Sequence, residues 1–198
     1  MNKGSHISLA HFLMKDINTT GFLKHKKAFL VGSILPDCLP SFLTTRHTIT
    51  DTFDLLQTEI QRVCDYYYME NGLTSYYYRH LGIICHYLAD YYTFPHNPGF
   101  QGSMKKHYEY EKELLTAMQQ YLDSEEAENI RVSSVGLYSA EEICRYIAEK
   151  HREYLETPHD IRVDCRYITE ICYTTMKVIM ENSLVILPNV QGGQIEAA

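Results

Sequence analysis

Apolar residues recur at steps of three and four along nearly the whole chain, and this spacing restricts the possible fold more than any other feature. Between residues 50 and 70 one such row consists of Phe53, Leu56, Ile60, Val63 and Tyr67. A row of this kind lies on one face of an α-helix. No segment shows a convincing strand alternation, and the stretch 128–137 fits a short strand or a loop equally well. We therefore predict an all-α fold.

Helix start and stop signals divide this pattern into about seven helices. They cover residues 7–17, 21–34, about 50–70, 75–92, 103–122, 139–155 and 161–188. Pro36 ends the second helix, Asn71-Gly72 ends the third, and Ser139-x-x-Glu142 resembles a capping box. A chain of 198 residues without a divisive linker suits one domain. We expect a single-domain helical bundle over residues 1–190 and a flexible tail over 191–198.

Charge and composition exclude several classes of protein. The net charge of −7 argues against a general nucleic-acid surface, so no stable nucleic-acid partner is expected. The sequence contains no run of 18 apolar residues, so no transmembrane helix is predicted. No signal-peptide pattern with a cleavage site is evident. The six cysteines are scattered without a C-x-x-C motif, as is typical of buried thiols in a reducing compartment. A cytoplasmic location is therefore predicted.

Two histidine–carboxylate pairs have the same spacing. His86 and Asp90 lie four residues apart on one predicted helix, and His107 and Glu111 repeat this on the next. Each pair therefore shares one helix face. His96 lies between the pairs in a loop flanked by two prolines. Imidazole nitrogen and carboxylate oxygen together form a ligand set suited to zinc.

An alternative reading applies to each histidine taken singly. A lone His-x-x-x-Glu pair is usually a solvated ion pair, and a lone histidine on an apolar face usually belongs to the core. We keep that reading for His11, His25, His80, His151 and His159. The dipeptide His159-Asp160 also matches another class of helical phosphohydrolases, but it stands at a helix start, where aspartate commonly caps. The two pairs, joined by His96 and preceded by Asp37 and His47, instead predict a metal centre.

The motifs SHISLA, GSILPD, His47, LGIICHYLADYYTFPHN and HYEYE occur in this order. Together they resemble the zinc-dependent phospholipase C superfamily, which also includes the secreted single-strand nucleases of fungi and plants. The resemblance covers about residues 1–115. It implies a helical fold around a cluster of two or three zinc ions, and hydrolysis of a phosphodiester by metal-activated water.

The resemblance also implies a ligand set for each ion. The first set contains His47, His86 and Asp90, with Asp37 as a ligand or near neighbour. The second set contains His96, His107 and Glu111. The third set contains His6, the shared Asp90, and the amine and carbonyl oxygen of the N-terminal residue. Asp37 would in addition orient the attacking water or accept its proton.

The sequence departs from the family pattern at two positions. The family carries an N-terminal tryptophan, whereas this chain has no Trp. Because Met1 stands five residues before His6, as in the nuclease branch, we hypothesise that Met1 supplies the amine. The choline-preferring members carry an aromatic residue where this chain has Cys38, so choline recognition is not implied. The nearby tyrosines form either a substrate rim or, more commonly for helical Tyr, part of the core: Tyr87, Tyr91, Tyr92, Tyr108 and Tyr110.

The sequence thus predicts a zinc-dependent phosphodiester hydrolase of the phospholipase C type. Its substrate would be a phospholipid or a soluble phosphodiester. One alternative is a nuclease or small-molecule phosphoesterase that uses the same site. Another is a non-catalytic helical protein stabilised by zinc. The three protein ligands of the second set leave an open position and favour catalysis, whereas four would indicate a structural site.

Overall fold

The computed structural model describes residues 1–17, 20–38, 45–66, 74–130 and 136–191. Within these ranges all regular secondary structure is helical, which confirms the all-α prediction. The α-helices are α1 Lys3–Asp16, α2 Thr20–Ile34, α3 Ile49–Gln61, α4 Ser75–Tyr91, α5 Met104–Leu122, α6 Glu125–Glu128, α7 Ala140–Glu156 and α8 Ile161–Gln191. Two 3-10 turns, Leu35–Asp37 and Phe94–His96, follow α2 and α4, and the π-helical segment Arg62–Tyr66 follows α3.

Helix starts agree with the capping signals in the sequence. Ser103 accepts a hydrogen bond from the backbone N–H of Lys106 at the start of α5. Both halves of the capping box at Ser139 form at the start of α7. The start of α1 was predicted too late, because Asn2 caps the helix and accepts from the backbone N–H of Ser5. His6 therefore lies inside α1 and not before it.

Other boundaries differ from the prediction in identifiable ways. The regular part of α3 stops at Gln61, and the π-helical segment replaces its continuation. The four-residue helix α6 was not predicted, because it has no apolar row and only its Ser124 cap marks it. The last helix continues past Pro188 to Gln191. Residues 67–73, with Asn71-Gly72, 131–135 and the tail from residue 192 lie outside the described residues.

Helix α4 lies at the centre of the bundle. Fourteen of its 17 residues are buried, so it has almost no solvent-facing side. It contacts α1, α2, α3 and α8. In the part of the chain that the structure describes, no helix has both the length and the apolar character needed to cross a membrane. All six cysteines are free, and four of them are buried.

Candidate metal centre

The candidate centre is built around two fully buried side chains of α4. His86 and Asp90 are both 0% exposed and lie one turn apart. Nδ1 of His86 donates a hydrogen bond of 2.9 Å to the backbone carbonyl of Ser33 on α2. This bond fixes the imidazole ring, so that its Nε2 lies 3.2 Å from Oδ2 of Asp90.

The carbonyl of Ser33 reaches His86 because α2 and α4 cross at two glycines. A Cβ atom on Gly82 would lie 2.7 Å from the backbone nitrogen of Ser33, and closer still to the carbonyl oxygen of Phe29. A Cβ on Gly32 would lie 2.9 Å from the carbonyl carbon of Arg79. Both distances are well below van der Waals contact, so only glycine permits this approach of the two backbones.

The first group of possible ligands is completed by residues outside α4. Nδ1 of His47 lies 2.9 Å from Oδ2 of Asp90 and 3.0 Å from Nε2 of His86. Asp37 ends the 3-10 turn after α2, and its Oδ1 lies 3.7 Å from Nε2 of His86 and 3.8 Å from Nδ1 of His47. The 3-10 turn Leu35–Asp37 that follows α2 therefore places Asp37 next to His86 and His47.

The second group is formed by His96, His107 and Glu111. His96 lies on the 3-10 turn after α4, and its Nδ1 donates to the backbone carbonyl of His47 over 3.0 Å. Its Nε2 lies 3.6 Å from Oε1 of Glu111. Nε2 of His107 lies 3.0 Å from the same oxygen. The bond from His96 to the backbone of His47 ties the two groups together.

Met1 and His6 lie between the two groups. The nitrogen of Met1 is 2.5 Å from Oδ1 of Asp90 and 3.0 Å from Oε1 of Glu111. Nε2 of His6 is 3.4 Å from Oδ1 of Asp90, and its ring stacks on His86 at 4.0 Å between centroids. His6, Asp37 and His86 also place one potential ligand atom each within 4.8 Å of one another.

The orientation of the imidazoles fits a bound cation. Nδ1 of His86 and Nδ1 of His96 carry hydrogen, because each faces a carbonyl oxygen. In the neutral rings each Nε2 therefore carries a lone pair next to a carboxylate oxygen, of Asp90 for His86 and of Glu111 for His96. Nδ1 of His47 and the Met1 amine each lie 3.0 Å from one of these lone pairs, so a cation would be bound in place of their protons. Among the described residues, neither buried ring nitrogen of His6 has a hydrogen-bond partner.

The electrostatic environment favours the metal-binding protonation state at three candidate ligands, whereas at Met1 and His47 the nearby carboxylates outweigh burial and raise the pKa of the amine and of the imidazole. Burial alone would raise the pKa of Asp90, but the Met1 amine and the imidazoles of His96 and His86 outweigh it and hold that pKa well below its usual value. Burial also opposes ionisation of Glu111, yet hydrogen bonds from His107 and His96 lower its pKa. Burial, with His86 nearby, lowers the pKa of His6 to about 3. Ionised carboxylates and a neutral imidazole are the forms that bind zinc.

A cavity of about 630 Å³ opens beside both groups. Three of the histidines line it, one from the first group and two from the second: His47, His96 and His107. Other walls are formed by Arg46, Thr48, Asp51, Phe100, Ser103 and Met104. Its volume is of the size that holds a small organic ligand. A substrate in this cavity would thus reach both groups at once.

The fold and this centre define a class of helical proteins whose histidines and carboxylates converge from separate segments on a partly buried site. Within that class, the family model described as zinc dependent phospholipase C matches residues 5–161, and the chain belongs to this family. The match confirms the resemblance and extends it beyond residue 115. No curated protein and no solved structure shows significant similarity to the chain.

The structure brings together every residue that the sequence proposed for the centre. The histidines left to structural roles do not join the three candidate groups found among the described residues. His80, for example, pairs with buried Glu59, and Nε2 of His151 donates to Oδ1 of Asn97 over 2.8 Å. Of the tyrosines considered for a rim, Tyr87, Tyr91 and Tyr92 are buried, whereas Tyr108 is exposed.

Two supporting contacts were missed by sequence reasoning. One is the Ser33 carbonyl that orients His86, because any residue offers a carbonyl and only the fold selects one. The other is Asn2, whose side-chain amide donates to the backbone carbonyl of Glu111 over 2.7 Å. The glycines at 32 and 82 were the available signal for a close helix crossing, but they lie fifty residues apart in the sequence.

Proposed function

We propose that the chain is a phospholipase C-like enzyme that hydrolyses phosphodiesters at a centre of two or three zinc ions. The observation that carries this proposal is the fixed direction of His86 and His96. Each ring is held by a backbone carbonyl, so that Nε2 points at a carboxylate, fully buried at Asp90 and 16% exposed at Glu111. Protein centres that bind catalytic metal ions orient their imidazole ligands through such hydrogen bonds.

In this proposal, His47, His86 and Asp90 hold one ion with Asp37 beside it. His96, His107 and Glu111 hold a second. A third ion would be held by His6, Asp90 and the amine and carbonyl oxygen of Met1. When bound there, zinc would lower the pKa of a water molecule towards roughly 7 and would offset the negative charge of a phosphate.

The protein residues position the reactants and move the proton. Asp37 is 23% exposed, whereas Asp90 is fully buried, so Asp37 exchanges protons with solvent more readily. Burial raises the pKa of Asp37. A carboxylate with a raised pKa is a better general base near neutral pH, so we assign it to accept the proton of the attacking water. Arg46 in the cavity wall would attract the anionic substrate.

Catalysis is favoured over a purely structural role by the second group. It offers three protein ligands, and two of them line the cavity. Three ligands leave an open coordination position, which structural zinc sites lack. Cys38 occupies the position of the aromatic residue in choline-preferring members, so a phosphatidylcholine preference is not part of the proposal.

The test pairs metal content with turnover. Zinc per chain is measured together with hydrolysis of bis(p-nitrophenyl) phosphate, phosphatidylcholine, single-stranded DNA and a phosphomonoester. We expect two or three zinc ions, and turnover that a chelator abolishes. His107→Ala should remove turnover, whereas the matched control His11→Ala, on the exposed side of α1, should not. A wild-type protein without zinc, or with zinc but no turnover of any of these substrates, would refute the proposal.

A further inference from the structure

A buried carboxylate outside the proposed ligands joins three segments of the fold. Asp164 lies in the first turn of α8 and is 0% exposed. Its Oδ2 accepts from the backbone N–H of Phe94 over 2.8 Å and from the hydroxyl of Tyr110 over 2.7 Å. Its Oδ1 accepts from the hydroxyl of Tyr154 over 2.8 Å.

Two of these three donors adjoin the second group. Phe94 begins the 3-10 turn that ends at His96, and Tyr110 immediately precedes Glu111 on α5. Both bonds end on the same oxygen of Asp164, so they set the distance between the turn and the helix. The third donor, Tyr154, lies on α7, which carries no residue of the centre.

Removal of the Asp164 carboxylate should destabilise the fold strongly, because the carboxylate is buried. Burial raises the pKa of Asp164, while the bonds from Tyr110, Phe94 and Tyr154 counteract that rise. An aliphatic residue here would leave a buried backbone N–H and two phenol hydroxyls without an acceptor. A buried carboxylate with three donors is therefore well suited to a positioning role.

We infer that Asp164 is a positioning residue for the second zinc group, acting through Phe94 and Tyr110 on His96 and Glu111. The inference rests on the proposed function. It gives α8 a role in metal binding, although Asp164 lies three residues beyond the end of the family match at residue 161. Outer contacts of this kind change metal affinity by about 10–100-fold when they are removed.

The three donors provide variants that separate positioning from general stability. Tyr110→Phe removes one of the two bonds towards the second group, and Tyr154→Phe removes the bond towards α7. Asp164→Leu removes the acceptor of all three donors. Each variant is made in the full-length protein. Zinc affinity is measured by competition with a chromophoric chelator, and stability is measured as Tm.

We expect Tyr110→Phe and Asp164→Leu to weaken zinc binding at the second group by about 10–100-fold and to leave zinc binding at the first group unchanged. In a protein that already carries His107→Ala, the same substitutions should cause no further loss of zinc affinity. Tyr154→Phe should lower Tm without changing zinc affinity. If Asp164→Leu fails to fold, Tyr110→Phe alone decides the question.

The outcomes distinguish this inference from the proposed function. Wild-type zinc binding with unchanged affinity in Tyr110→Phe would overturn the positioning role and leave the proposed function standing. An equal loss of affinity in Tyr154→Phe would also overturn it, because the effect would then be general loosening. A wild-type protein that binds no zinc would overturn both.

Discussion

Substitution of Gly82 by alanine tests whether the close crossing of α2 and α4 orients the metal centre. The new Cβ would lie 2.7 Å from the backbone nitrogen of Ser33, whereas ordinary contact begins at 3.4 Å. The backbones would have to separate by at least the difference, about 0.7 Å (3.4 − 2.7), because the carbonyl oxygen of Phe29 lies closer still. If the whole shift reached His86, its 2.9 Å bond to the Ser33 carbonyl would lengthen to about 3.6 Å (2.9 + 0.7) and be lost.

Two effects on stability oppose each other in this variant. Overpacking costs about 1–3 kcal/mol, whereas alanine gains about 1 kcal/mol of helix propensity over glycine. The expected net loss in the free energy of unfolding is therefore about 0–2 kcal/mol. The loss of the bond to His86 should weaken zinc binding by about 10–100-fold. Metal affinity is thus expected to change more clearly than stability.

The assay combines urea unfolding of metal-free protein with chelator competition for zinc. Gly136→Ala serves as the control, because its Cβ would meet only the side chain of Tyr138, which is 82% exposed and free to shift. Wild-type zinc affinity in Gly82→Ala would refute the reasoning. A loss of equal size in Gly136→Ala would refute it as well.

Three further outcomes are expected. Verified removal of zinc should lower Tm, because an ion present at 100 times its Kd contributes about 2.7 kcal/mol to folding, and an unchanged Tm would contradict this. The metal-free protein should become less stable as pH falls from about 6.5 to about 4, because burial lowers the pKa of His151 in the folded state to about 4. The unfolded chain therefore binds the proton first, and the free energy of unfolding falls by at most about 3 kcal/mol. Urea unfolding of His151→Gln across this range should show a flatter profile than the wild type, and parallel profiles would exclude the assignment. A peptide added before Met1 should remove one zinc ion or weaken its binding, because the added peptide bond replaces the free amine that lies 2.5 Å from Oδ1 of Asp90. The chain start is verified by intact mass. Retention of all zinc and activity in this variant would exclude a required role for Met1.

Much of the fold follows from local sequence signals. Apolar rows marked the long helices, and the serines at 103 and 139 marked two starts correctly because an N-cap acts only on its own helix. The start of α1 was missed because Lys3–Ser5 adds no apolar row, although Asn2 was a possible cap. Helix α6 is too short for a period to appear.

The candidate centre was predictable for a different reason. Helical spacing put His86 beside Asp90 and His107 beside Glu111 without any knowledge of tertiary structure. The contacts that orient these side chains were not predictable, because they join residues far apart in the chain. Ser33 and His86 are separated by 53 residues, and Tyr110 and Asp164 by 54.

The uneven exposure of the candidate ligands sets an order for ion exchange. His6, His86 and Asp90 are at most 1% exposed, whereas the side chain of His107 is 26% exposed and lines the cavity. An ion at the second group can therefore leave through the cavity, whereas an ion held by His6 and Asp90 has to wait for α1 to move away from α4. Isotope exchange of bound zinc should accordingly be biphasic, and the slow phase would measure how often the N-terminal helix opens.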